Sequence, residues 1–198
     1  MMKNTVTATE LKSQIDAIVA QKDALVAGLN ANQKSWRPQD GAWSIAECLD
    51  HLNRTLTVYL RPMRVTFERE RHSASLPPKG FRLGFLGRKF VQLLEPPYRL
   101  KVKAPKSVVP PSNIDPFEVE AEFNRLRLDL RGFLLEASGV DMGGIRFASP
   151  MASMLKLNLA EGCAIALAHD RRHLWQAENV RNHPLFPASR EDHAESVT

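Results

Sequence analysis

The segment His169-Asp170-Arg171-Arg172-His173 places two histidines four residues apart. Four residues is slightly more than one α-helical turn, so the two imidazoles project from one side with their Cβ atoms about 6 Å apart. That spacing suits two ligands of one ion. At about 100° per residue the same face carries Gly162, Ile165, Ala166, Arg172, Gln176 and Val180, so polar groups interrupt an otherwise apolar stripe. A buried imidazole needs a hydrogen-bond partner or a metal to offset its desolvation. Pairs with this spacing also arise by chance, and a zinc site takes three or four ligands, so a third must be sought.

His51 and His72 are separated by 21 residues, about 31 Å along a continuous helix, so at most one of them can join the pair. His183 and His193 fall in sequence with no periodicity. His51 is the best candidate by position, shortly after a helix start at Ser44. On the helical wheel it stands about 120° to 160° from Ile45, Leu49 and Leu56, so a solvent-exposed side chain is the competing reading. If it is a ligand, the ion is expected in an open crevice and not deep in a core. Of the other reactive side chains, Cys163 and Asp170 point away from His169, with Asp170 expected to be solvated or paired. Cys48 lies nearer His51 but reads as a small buried hydrophobe. Glu47 is one turn before His51, yet its position as the third helical residue after Ser44 assigns it to a capping box.

These residues must be positioned by helices. Thr7 and Glu10 form a capping-box pattern ahead of Leu11, Ile15, Ile18, Val19, Leu25, Val26 and Leu29, which predicts a first helix over 8–30. Ser44 and Glu47 open a second over 45–71, with Pro62 expected to kink it. Asp115-Pro116 supplies a cap and a first-turn proline for a third over 116–137. Asn158 caps a fourth over 159–181. Between the second and third, prolines at 77, 78, 96, 97, 105, 110 and 111 punctuate a long excursion with a short helix expected over 83–94. No strand-like alternation stands out. The expectation is an all-α four-helix bundle with a Pro-rich basic excursion, residues 1–182 forming one domain and 183–198 a loose tail.

A chain of 198 residues with 43% hydrophobic and 25% charged side chains reads as one globular unit. The net charge of +5 is unevenly placed, because residues 77–106 hold eight basic side chains against the single acid Glu95. The remainder is slightly acidic, which argues against a surface built to neutralise nucleic-acid phosphates. Two distant cysteines, Cys48 and Cys163, make neither a disulfide framework nor a zinc ribbon. With no apolar leader or membrane-length run, cytoplasmic residence is expected.

The segments WRPQDGAWSIAECLDHL (36–52) and HDRRHLWQ (169–176) resemble those of DinB/YfiT-like proteins, as does the Lys103-Ala104-Pro105-Lys106 region, and the likeness spans about residues 9–182. The resemblance implies a four-helix bundle, frequently a homodimer, in which His51, His169 and His173 bind a divalent metal. Family members include transferases that use small cellular thiols, isomerases and many proteins of no known activity. The implied cofactor is zinc or nickel, although imidazoles also accept iron and manganese. Two functions follow as expectations. The first is an enzyme, a thiol transferase or hydrolase, in which the ion activates a thiol or water toward a small molecule and Arg172 and Gln176 orient the substrate. The second is a non-catalytic binder that docks an acidic partner or anionic surface through the basic 77–106 segment; a lid whose lysines and arginines face water is the plainer account of that segment.

Overall fold

Five helix starts among the described residues are set by side chains that satisfy backbone N–H groups lacking an intrahelical acceptor. Reciprocal capping boxes join Thr7 with Glu10, Asn30 with Gln33, Ser44 with Glu47, and Asn158 with Glu161. Asp115 accepts from the N–H groups of Phe117 and Glu118 ahead of Pro116. In a computed structural model, which describes residues 5–97 and 103–188, these caps open α1 (Ala8–Val26), α2 (Ala31–Ser35), α3 (Ile45–Glu70), α5 (Pro116–Ala137) and α6 (Leu159–Arg181). The first expected helix stops early because Gly28 takes a left-handed φ of 73°, which ends α1 and frees Asn30 to start α2. Helix α3 continues past Pro62 to Glu70.

The four long helices α1, α3, α5 and α6 form the bundle, with α3 and α1 each packed against both α5 and α6. One apolar core joins them, including Leu11, Ile15, Leu49, Phe123, Leu130 and Leu174. The segment expected as an excursion folds back onto this bundle. Its helix α4 (Phe85–Leu94) lies along α6, and a 3₁₀ turn at Lys106–Val108 lies against α3. Arg99 and Lys101 fall outside the described residues, as do His193 and the rest of 189–198.

The expectation of no strands is corrected by two antiparallel ribbons. β1 (Thr5–Val6) pairs with β2 (Phe81–Arg82), and β3 (Arg146–Ser149) with β4 (Ala152–Asn158). Phe147 of β3 reaches α6 at Gly162, where a Cβ would stand 2.7 Å from the Phe147 ring and 2.9 Å from Met63 Sδ. A larger residue there would force the Phe147 ring and the Met63 side chain to shift. At the other end Trp36 packs against His183 and Phe186, and Gln33 Nε2 donates to the Pro187 carbonyl at 2.9 Å. Among the described residues no helix is long and apolar enough to cross a membrane.

Between α3, α5 and α6 lies a buried polar cluster. Arg127 is fully buried; its Nε and Nη2 donate to the Asp170 carboxylate, and its Nη1 donates to Asn53 Oδ1 at 2.8 Å. Asn53 Nδ2 in turn donates to the Val119 carbonyl at 2.9 Å. Asp170 is thus paired, and burial pushes its carboxyl above the usual range while Arg127 pulls it down.

Candidate metal centre

His51 enters from the second turn of α3, and His169 and His173 from the middle of α6. Because α3 and α6 are adjacent, the three imidazoles converge, and one ring nitrogen of each lies within 4.8 Å of the others. Ring centroids are 4.6 to 5.0 Å apart, and His51 Nε2 is 3.3 Å from His169 Nε2.

The structure corrects the placement of His51. Its side chain is 3% exposed, neither solvated nor in an open crevice. The wheel considered one apolar stripe, whereas α3 is central and buries a second face that includes Glu47, His51 and Thr55. Trp43, just ahead of α3, covers the cluster, its ring centroid 4.8 Å from that of His51 and 5.8 Å from that of His173. His173 is also buried, and His169 is intermediate in exposure.

Hydrogen bonds behind the rings fix their orientation. His51 Nδ1 lies 2.7 Å from the Val108 carbonyl, which can only accept, so Nδ1 carries the proton and Nε2 keeps its lone pair. His173 Nδ1 is 3.0 Å from Gln176 Oε1, the same arrangement supplied by a side chain. Such outer partners hold the tautomer and raise the basicity of metal-ligating histidines. Burial is the main force lowering all three imidazole pKa values, that of His173 to about 3 and that of His169 well below the usual value. The neighbouring imidazoles and Arg172 lower both α6 histidines further. At neutral pH the cluster is therefore uncharged, the state that binds metals.

The donor set fits a divalent ion. Imidazole nitrogens about 2.0 to 2.1 Å from a tetrahedral zinc stand about 3.3 to 3.4 Å from each other, which matches the His51–His169 separation of 3.3 Å. The three histidines are the one group of this kind found among the described residues, leaving one or more positions for a further ligand. His72 is exposed at the far end of α3, and His183 packs on Trp36, so neither joins.

The remaining candidates have defined surroundings. Gln176 touches His173, and Arg172 is buried with Nη1 donating to the Leu93 carbonyl at 3.2 Å. Glu47 is committed to the cap, because Ser44 N–H and Arg37 occupy its carboxylate. Cys48 and Cys163 are fully buried, and desolvation pushes both thiols far up. Two contributors carried no usable sequence signal for this role: Trp43 lies in the WRPQDGAWSIAECLDHL segment with nothing to mark it as a cover, and Val108 acts through its backbone oxygen.

A family model for the DinB superfamily matches residues 14–177. No curated protein sequence matches the chain. Among solved structures, YfiT from Bacillus subtilis, described as a probable metal-dependent hydrolase with an unusual four-helix bundle topology, aligns at 12% identity and a TM-score of 0.59 over 92% of this chain and 91% of its own. A protein from Streptococcus pneumoniae aligns at 13% identity and 0.59, covering 93% and 96%. One from Clostridium difficile 630 aligns at 13% and 0.58, covering 90% and 98%. These likenesses reach the level of the fold, whereas the family match spans most of the sequence, so the chain belongs to the DinB superfamily.

Proposed function

We propose that this protein holds one divalent metal ion, zinc or nickel, through the Nε2 atoms of His51, His169 and His173, and acts as a metal-dependent hydrolase on a small molecule. The observation that carries the reading is the convergence of three neutral imidazoles, two of them with Nδ1 already engaged by an acceptor. The description of YfiT as a probable metal-dependent hydrolase supports the same class of chemistry.

When bound, the ion supplies Lewis acidity, which activates water near neutral pH and polarises an electrophilic carbonyl or ester. The chain contributes geometry and charge. Val108 and Gln176 lock two rings in the ligating tautomer. Trp43 shields the His51 and His173 side of the cluster, leaving approach along His169. Arg172 adds positive charge beside the α6 histidines and suits an anionic or polar substrate group. No carboxylate or thiol of the described residues joins the cluster, so the site favours an activated exogenous nucleophile over a protein-borne one.

Metal analysis of the purified protein should give one equivalent per chain, with His51→Ala and His169→Ala each retaining less than about a tenth of it. Stoichiometric metal in both variants would refute the site. Loaded protein should then cleave members of an ester and amide panel. Inertness toward that panel, with turnover only when a small thiol and an electrophile are supplied, would replace hydrolysis by thiol transfer.

A further inference from the structure

Helix α4 exposes its apolar side chains. Phe85 is 65% exposed, Leu86 53%, Phe90 41% and Leu93 53%. With Lys89 they occupy an arc of about 140° on the helix surface. The opposite face is fixed: Val91 is buried, Gly84 N–H donates to Glu161 Oε1 of α6 at 2.7 Å, and the Leu93 carbonyl accepts from Arg172. Rotation cannot bury the outer face, and four large apolar residues side by side form the kind of patch that marks an interaction surface.

The charges around that face are basic. At the N-terminal end of α4 a cavity of about 330 Å³ is lined by Arg82, Arg88 and Arg146 together with Phe85. These arginines come from β2, α4 and β3, so three separate elements deliver them to one place. Among the described residues, Glu161, which also lines the cavity, accepts from the Gly84 and Asn158 N–H groups, and Glu95 at the end of α4 accepts from Arg171. A second copy docking through the same face would press two basic rims together. A convex helix with an apolar arc, a central lysine and an arginine-lined cavity is complementary instead to an anionic lipid surface, where acyl chains receive the side chains and headgroup phosphates meet the guanidinium groups.

We infer that α4 and the adjoining arginine cavity form a peripheral docking site for anionic membrane lipid that uses none of the three histidines.

The full chain should be mixed with phosphatidylcholine vesicles with and without phosphatidylglycerol, and binding read by flotation. Binding should be at least about tenfold stronger to the anionic vesicles, given about fivefold per basic residue near such a surface, and should fall away at about 1 M salt, where charges are screened within a few ångströms. Arg82→Glu/Arg146→Glu should abolish the preference for phosphatidylglycerol, and Leu86→Glu/Leu93→Glu should remove binding, both with unchanged circular dichroism and metal content. A Phe90→Trp variant covers the case in which the glutamate variants fail to fold: its added fluorescence should be quenched by brominated acyl chains in anionic vesicles. Equal affinity for both vesicle types, or absence of that quenching, would overturn the inference. So would a homodimer in sedimentation equilibrium that Leu86→Glu/Leu93→Glu dissociates, or a lipid-independent acidic protein held by the same face.

Discussion

Helices α3 and α6 share two buried polar clusters that begin almost side by side in the chain. Asn53 follows His51 by two residues, and Asp170 follows His169 directly, yet the clusters solve burial in opposite ways. In the first, Arg127, Asp170 and Asn53 form a closed set: donors meet acceptors, charges cancel, and Arg127 also stacks over Phe123 with its guanidinium carbon 3.5 Å from the ring centroid. In the second, three groups of one kind face each other, His51 disfavouring protonation of both α6 histidines and His173 that of His169, with outer acceptors turning lone pairs inward. A closed cluster positions the helices and has nothing left to bind. An inward-facing set of like donors is costly unless something cationic is placed between them, so burial of polar groups marks function when their chemistry converges, not merely when they are buried.

The largest expected effect comes from breaking the closed cluster. Arg127→Met leaves the Asp170 carboxylate buried without its cation, which should cost about 3 to 5 kcal/mol of stability in urea titration. A second change, Asp170→Leu, should restore most of that loss, because removing both charges removes the desolvation penalty as well. If Arg127→Met unfolds no more easily than the parent protein, the cluster does not hold the helices together and the contrast fails.

The two clusters also differ in how much the sequence revealed. Capping residues at Asp115 and Asn158 placed α5 and α6 at 116–137 and 159–181, as observed. The His169–His173 pair was readable from helical spacing alone. His51 was harder, since its wheel position argued for solvent, and burial on a second face depends on which helices surround α3. Tertiary packing decided that, as it decided the β3–β4 ribbon, where Phe147 alternates with exposed neighbours over too short a run to register. Arg127 gave no sign of its role, because its partners lie 43 and 74 residues away. Backbone acceptors such as Val108 are invisible to residue type altogether.

Acid should act next most strongly, and on the open cluster. In metal-free protein the folded imidazoles have pKa values below the unfolded value of about 6.5, with His173 at about 3. Between those limits the unfolded chain binds more protons than the native one, so stability must fall as pH drops from about 6.5 toward about 3. Asp50 near His51 opposes the effect, whereas Arg172 and Arg127 reinforce it at His169. His173→Gln should flatten the fall measured by thermal denaturation across that window. An unchanged slope would mean that the cluster does not titrate with folding.

The smallest expected effect tests whether the outer hydrogen bonds belong to the open cluster or merely adjoin it. Gln176→Leu keeps the helix and the approximate volume but removes the acceptor at His173 Nδ1. The ring can then adopt the tautomer with its proton on Nε2, the atom proposed to hold the metal. Loss of such a partner typically weakens metal binding about 10- to 100-fold, a change that competition against a chelator can resolve. Gln176→Glu should restore or exceed the parent affinity, since a carboxylate accepts more strongly from Nδ1. The same pair of substitutions should leave urea stability of the metal-free protein within about 0.5 kcal/mol, as expected for a partly exposed side chain. A stability loss comparable to that of Arg127→Met, with metal affinity unchanged, would place Gln176 with the structural cluster and erase the distinction between the two.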